Sequence, residues 1–236
     1  RGTVKQSVQT ELKSAKQAIA DNAEAFELYY KELVSWNEKI NLTAITERND
    51  VYIKHFEDSL ALLDVLDLNK GTSLIDIGSG AGFPGLALKA GGCMSDITLL
   101  DSTRKRVDFL QHMSEVLGVD CTCVWMRAES AAHDENYRGR FDFATARAVA
   151  KLPVLIEYAV PFLKQGGIFA ALKGPAAAEE IDMAKTAAKK LGAKISDIIE
   201  YLISDGSKRA IILVKKISQT PTIYPRPSAR IAKNPL

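Results

Sequence analysis

The chain has 236 residues, 47% of them hydrophobic and 25% charged, with a formal net charge of +2. That length suits one sizeable domain with an extension, and the composition is that of a globular chain without repeats or low-complexity tracts. No apolar run reaches the roughly 20 residues of a membrane helix, and the opening RGTVKQSVQTELKSAKQ lacks the apolar core of an export signal, so a cytoplasmic protein is expected.

Residues 4–20 place Val4, Val8, Leu12, Ala15 and Ile19 at helical spacing. A second helix is predicted over 24–39, with Phe26, Leu33, Val34 and Trp36 among its apolar positions, and a third over 50–66. Within this section Leu42 and Thr43, the neighbours of Asn41, read as a helix stop. Residues 1–70 show no strand pattern and form a helical extension.

From residue 72 strands and helices alternate. The strands are 73–77, 97–101, 122–126, 141–148 and 166–173; the helices are 85–90, 104–117, 152–163 and 176–191. Such alternation gives a mostly parallel sheet covered by helices on both faces, a Rossmann-like α/β fold over 71–217. Two closing strands, near 195–203 and 209–217, are joined by the turn-forming SDGSK and should pair as an antiparallel hairpin, making seven strands.

Cys121 and Cys123 stand two apart in a strand, on one face of the sheet. Together with Cys93 and the three histidines they show no metal-ligand spacing, so reduced thiols are expected and no metal. Residues 206–236 carry seven basic groups and no acid, leaving 24 basic and 29 acidic groups before them, a net of −5. A basic end on an acidic body fits a polyanion, with Lys215, Lys216, Arg226 and Arg230 as candidate contacts; a solvated basic tail over 218–236 is the alternative.

The turn DIGSGAGFPG (76–85) sits between the first parallel strand and the next helix. Gly80, Gly82 and Gly85 match the dinucleotide pattern G-x-G-x-x-G, so an NAD enzyme enters consideration. Two features point elsewhere. Asp76 lies two residues before Gly78, and Pro84 opens the following helix, where a missing N–H costs nothing. A second acid, Asp101, ends the next strand, where a carboxylate can grip ribose hydroxyls.

D-x-G-x-G-x-G, an acid closing the second strand and a final antiparallel hairpin resemble the class I S-adenosylmethionine-dependent methyltransferases. The strings WNEKINLTAIT (36–46), HFEDSLAL (55–62), LIDIGSGAGFPGLALK (74–89), DSTRKRVDFL (101–110), RAE (127–129), ARAVAKL (146–152) and ALKG (171–174) narrow the likeness. In this order the chain is similar to the glucose-inhibited division protein B family, bacterial enzymes that methylate guanine N7 in 16S ribosomal RNA. The resemblance implies S-adenosyl-L-methionine as cofactor and 16S rRNA or the small ribosomal subunit as partner, with guanine 527 of the decoding region as target. It implies neither a membrane nor an obligate protein partner.

The resemblance also assigns roles. Gly78, Gly80 and Phe83 should border the cofactor, Asp101 its ribose, and Ala128 and Glu129 its adenine. Phe83 as ordinary packing and Glu129 as a solvated helix-start acid are the bland alternatives. Arg147, ending the fourth strand, should serve the cofactor pocket or hold substrate phosphate while leaving N7 free; a structural ion pair is the alternative. For His55, Asp58 and Ser59 two readings stand level, a wall over the methyl group or a network tying the extension to the sheet, and Asn41 is equally open. The C-terminal YPRPSARIAKNPL departs from the family pattern: Pro227 replaces a basic residue, Ala229 a glycine and Ile231 a proline, while Arg230 adds a charge.

Absences bear on the chemistry. An exocyclic-amine methyltransferase usually carries an Asn/Asp-Pro-Pro-aromatic turn after the fourth strand, where this chain reads TARAVAKLP. Methylation of pyrimidine C5 needs a cysteine nucleophile, which Cys121 and Cys123, inside a strand, do not supply. Guanine N7 carries an available lone pair and no proton, so no general base is required. Orientation alone can contribute about 7–11 kcal/mol. No catalytic residue is therefore assigned.

Overall fold

The computed structural model describes residues 12–147, 150–175 and 180–236. Val4 and Val8, the start of the 176–191 helix and Ala148 lie outside them. The seven predicted strands are β1 (Ser73–Ile77), β2 (Asp96–Asp101), β3 (Cys121–Trp125), β4 (Phe141–Arg147), β5 (Leu163–Lys173), β6 (Ala193–Leu202) and β7 (Lys208–Lys216). They form one sheet in the order β3-β2-β1-β4-β5-β7-β6. Neighbours from β3 to β5 run parallel, whereas β7 is antiparallel to both β5 and β6.

Side chains alternate between the two faces of this sheet, which is why its strands are apolar on both sides. Leu74, Leu99 and Phe143 join an apolar cluster with the N-terminal helices α1 (Lys13–Asp21) and α2 (Ala23–Asn37). Ile75, Leu100 and Ala144 point the other way, into a cluster closed by α9 (Leu152–Ala159) and α10 (Ile181–Lys190). The helical extension thus shares a core with the sheet.

The predicted 50–66 helix is segmented: α3 (Arg48–Val51), a π-helical stretch (Tyr52–Glu57), α4 (Asp58–Leu60) and α5 (Leu62–Val65). The wider winding at 52–57 rotates the residues beyond it relative to an ideal helix, a recurring feature of functional sites. The stop after α2 at Leu42 and Thr43 is made by Asn37, whose Oδ1 accepts their backbone N–H groups at 2.8 and 2.9 Å; Asn41 is exposed.

Three further helices frame the sheet: α6 (Gly85–Ala90), α7 (Arg104–Leu117) and the short α8 (Ala128–Ala131). α6 begins almost in contact with β1. A Cβ on Gly85 would stand 2.5 Å from Leu99 Cδ2 and 2.9 Å from Asp76 Cβ, so only glycine permits this approach. α7 ends where Gly118 adopts the left-handed conformation and Val119 N–H returns to the Ser114 carbonyl at 3.0 Å, a glycine stop.

The C-terminal segment is strapped to the body. Arg138 donates to the carbonyls of Tyr224 (2.8 Å), Thr220 (3.2 Å) and Pro221 (3.2 Å), and the segment ends in α11 (Ser228–Lys233). Ile231 is fully buried there.

Candidate functional site

In a parallel sheet, ligands gather beyond the carboxyl ends of the strands, beside the point where strand order reverses. Here that point lies between β1 and β4. A cleft of about 530 Å³ opens over it and is lined by all seven predicted cofactor residues: Gly78, Gly80, Phe83, Asp101, Ala128, Glu129 and Arg147.

The glycine turn forms the floor. Gly78 (φ 73°) and Gly80 (φ 58°) occupy the left-handed region, and a Cβ on Gly80 would meet nothing closer than the Gly78 carbonyl at 3.8 Å. The conformation, not crowding by protein, demands glycine there, and the bare backbone stays open to a ligand. Asp101 holds the turn in place: its Oδ2 accepts Gly80 N–H at 2.9 Å and its Oδ1 accepts Thr103 N–H at 2.8 Å. A carboxylate offers about four acceptor positions, so capacity for ribose hydroxyls remains. The arrangement therefore fits an adenosine cofactor.

Below the floor lies Asp76, fully buried. Its Oδ2 accepts Gly85 N–H at 2.9 Å, while Oδ1 has no partner among the described residues. Burial pushes its carboxyl up to about 7, with the Gly85 bond opposing.

Phe83 packs and lines at once. Its ring stacks on Tyr29 (centroids 5.5 Å apart) and on His55 (4.6 Å), with the Arg147 guanidinium 4.8 Å above it. Tyr29, invisible in sequence as anything but a core residue of α2, donates its hydroxyl to the Ala81 carbonyl at 2.7 Å and so pins the turn.

Arg147 joins the π-helical segment to β4. Its Nη1 donates to the Lys54 carbonyl (3.0 Å) and lies 3.4 Å from Asp58 Oδ2, and its Nη2 meets His55 Nδ1 at 3.1 Å. His55 Nδ1 also lies 3.2 Å from the Lys54 carbonyl, so a donor-only guanidinium and an acceptor-only carbonyl face the same nitrogen, while Nε2 stands 2.7 Å from Thr43 Oγ1. Burial, then the adjacent guanidinium, lower the imidazole to about 3; His55 is neutral. Asp58 Oδ1 accepts the Tyr201 hydroxyl at 2.7 Å. Both readings of the helix-borne residues thus have a counterpart: His55 lines the cleft, and His55 with Asp58 ties the extension to β4 and β6. Ser59 Oγ is buried without a hydrogen-bond partner among the described residues.

At the far end, Ala128 begins α8, so its N–H has no acceptor within that helix. Glu129 follows, near enough to Tyr158 to help burial raise that phenol. Tyr158, Thr43 and Arg106 also line the cleft. Arg106, within the DSTRKR string, was legible only as a helix-face charge.

The basic end needs correction. Lys216 is 5% exposed, and its ammonium donates to the carbonyls of Leu163 (2.8 Å) and Val160 (3.2 Å); burial lowers it to about 8. Arg226 grips the fully buried Glu157 through Nε (2.8 Å) and Nη2 (2.7 Å). Both cations are spent inside the protein. Lys215 and Arg230 are exposed. The cysteines are free thiols, and burial pushes Cys121 up to about 12.

The solved structure of M. jannaschii TYW2 in complex with AdoMet is similar over 64% of this chain and 72% of its own, with a TM-score of 0.51 at 16% identity. The branched-chain polyamine synthase from Thermus thermophilus is similar over 70% and 57%, with a TM-score of 0.55 at 13% identity. These likenesses show the fold. Sequence relatives are much nearer. The ribosomal RNA small subunit methyltransferase G of Lactococcus lactis is 48% identical over 89% of this chain and 90% of its own, and that of Desulfitobacterium hafniense 49% identical over 92% and 90%. The family model described as rRNA small subunit methyltransferase G matches residues 22–208, and the chain belongs to that family.

Proposed function

We propose that this protein transfers a methyl group from S-adenosylmethionine to N7 of a guanine in 16S rRNA, guanine 527 of the small subunit, and does so in the cytoplasm. The observation that carries the N7 reading is the engagement of the ionisable groups beside the proposed methyl position. Both ring nitrogens of His55 are hydrogen-bonded, and Arg147 is a donor only. A site arranged this way suits a nucleophile that arrives with a free lone pair.

The cofactor supplies an electrophilic methyl group on sulfonium sulfur. The residues of this chain bind and orient. The turn at Gly78 and Gly80 would receive the methionine part, Asp101 the ribose, and Ala128 N–H with Glu129 the adenine. Phe83, stacked on His55, would wall the cleft beside the methyl group and exclude water. With the group bound, positive charge would pass from sulfur to the purine and little new charge would need stabilising, so alignment by these residues would supply most of the acceleration.

The reading is tested by calorimetric titration with S-adenosylhomocysteine and with NAD, followed by transfer of labelled methyl to small subunits that lack the modification. Binding of the first ligand alone, with label in 16S rRNA, is the expected result. NAD binding, or cofactor binding without transfer, would contradict it.

A further inference from the structure

The order of the strands lays the proposed ligand across the sheet. Adenine would lie over the end of β3, ribose over β2, the methionine part over β1, and Arg147 follows at the end of β4. The next strand end belongs to β5. Register there pairs Arg147 with Leu172 and, across the antiparallel neighbour, Lys173 with Ala210. Lys173 and Arg209 consequently reach the same edge of the sheet, on the side away from the adenine.

A second basin of about 320 Å³ opens at that edge. Its wall carries four cations, Lys54, Arg147, Lys173 and Arg209, and it shares His55 and Arg147 with the first cleft. Three carboxylates lie among them. Lys54 is 3.0 Å from Asp50, and Lys173 is 3.1 Å from Glu180. Asp58 is the most committed, accepting from Tyr201 and standing by Arg147. Arg209 is less tightly held. Its Nε is 3.7 Å from Asp58 Oδ1, outside hydrogen-bonding distance, and among the described residues its Nη1 donates only to the neighbouring Lys208 carbonyl at 3.0 Å. A planar guanidinium with donors in reserve, in a half-buried cationic basin, suits a phosphate oxygen pair.

Resting on the methyltransferase reading above, we propose that this basin is the substrate phosphate site. It holds a phosphodiester of the target nucleotide through Arg209, with Lys54 and Lys173 beside it. The His55–Arg147 wall between the two cavities then sets the spacing between the anchored backbone and the base presented at the methyl group. Sequence position is read by neither cavity wall; the basin fixes register, as phosphate contacts do.

The experiment measures methyl transfer to small subunits by wild type, Arg209→Gln and Arg209→Lys over a range of salt, with S-adenosylhomocysteine affinity measured in parallel. Arg209→Gln should raise the apparent KM for the subunit about tenfold and lower the salt slope by roughly 0.7–0.9, the value for one phosphate contact. Its S-adenosylhomocysteine affinity should stay within twofold of wild type, and Arg209→Lys should recover the salt slope. An unchanged KM and slope in Arg209→Gln would overturn the proposal. So would loss of S-adenosylhomocysteine affinity, or a lysine variant as defective as the glutamine one, since either would make Arg209 a prop for Asp58. Absence of transfer by wild type would instead sink the methyltransferase reading.

Discussion

Two buried groups beside the glycine turn titrate in opposite senses, and their balance is measurable. His55 is lowered from 6.5 to about 3, and Asp76 is raised from 3.8 to about 7. Between about pH 6.5 and 3 the unfolded chain takes up a proton at His55 that the fold refuses. Stability therefore falls with pH in that window, by up to about 1.4 kcal/mol per unit. For Asp76 the folded state keeps a proton that the unfolded chain releases between about pH 7 and 3.8, so stability rises as pH falls. From pH 7 to 5 each group contributes about 2 kcal/mol, with opposite sign. In wild type the two nearly cancel. Asp76→Asn retains an acceptor for Gly85 N–H but removes the ionisation; it should lose about 2 kcal/mol more than wild type over this interval. His55→Asn should lose about 2 kcal/mol less. Urea unfolding at pH 7 and pH 5, each variant referred to itself, reads these differences while the other carboxylates stay common to all three. Parallel pH profiles for the three proteins would refute the reasoning.

Asp101→Ala removes the proposed ribose acceptor and leaves Gly80 N–H and Thr103 N–H without their partner; at about 1.5–3 kcal/mol per charge-assisted bond, S-adenosylhomocysteine affinity should fall at least tenfold by calorimetry. Unchanged affinity would remove Asp101 from the site. Lys216→Ala should cost about 1–3 kcal/mol in urea unfolding because two carbonyls lose their donor, without altering the salt dependence of RNA binding. Neutralising exposed Lys215 and Arg230 together should do the reverse, flattening the salt slope at constant stability. Single-turnover methylation should show no pH step from a protein base between about pH 6.5 and 9, and His55→Ala should keep that profile even where it is slower.

Local pattern carried the architecture. The apolar runs at 73–77 and 97–101, with the glycine turn between strand and helix, announced a parallel sheet and its ligand edge. β5 begins earlier than its pattern indicated, at Leu163, since Gly166 and Gly167 read as a strand start and are instead interior to it. The π-helical turn at 52–57 was hidden because its apolar spacing still passes for an ordinary helix. Partners distant in sequence were the least legible. His55 meets Arg147 from 92 positions away, and Arg226 meets Glu157 from 69. Counting Lys216 and Arg226 as surface charge failed for that reason: a charge in a list carries no burial, and the fold supplied each with an acceptor. The residues proposed for the methionine part, ribose and adenine line one cleft because they follow successive strand ends; Tyr29 and Arg209 reach the edge only through tertiary structure.

The central claim is the atom that receives the methyl group. Small subunits from cells lacking this protein, incubated with it and methyl-labelled S-adenosylmethionine, can be digested to nucleosides and the labelled species identified by chromatography and mass. The account predicts label in 7-methylguanosine alone, from one site in 16S rRNA. Label on an exocyclic amine, on a pyrimidine carbon or on a ribose hydroxyl would contradict it.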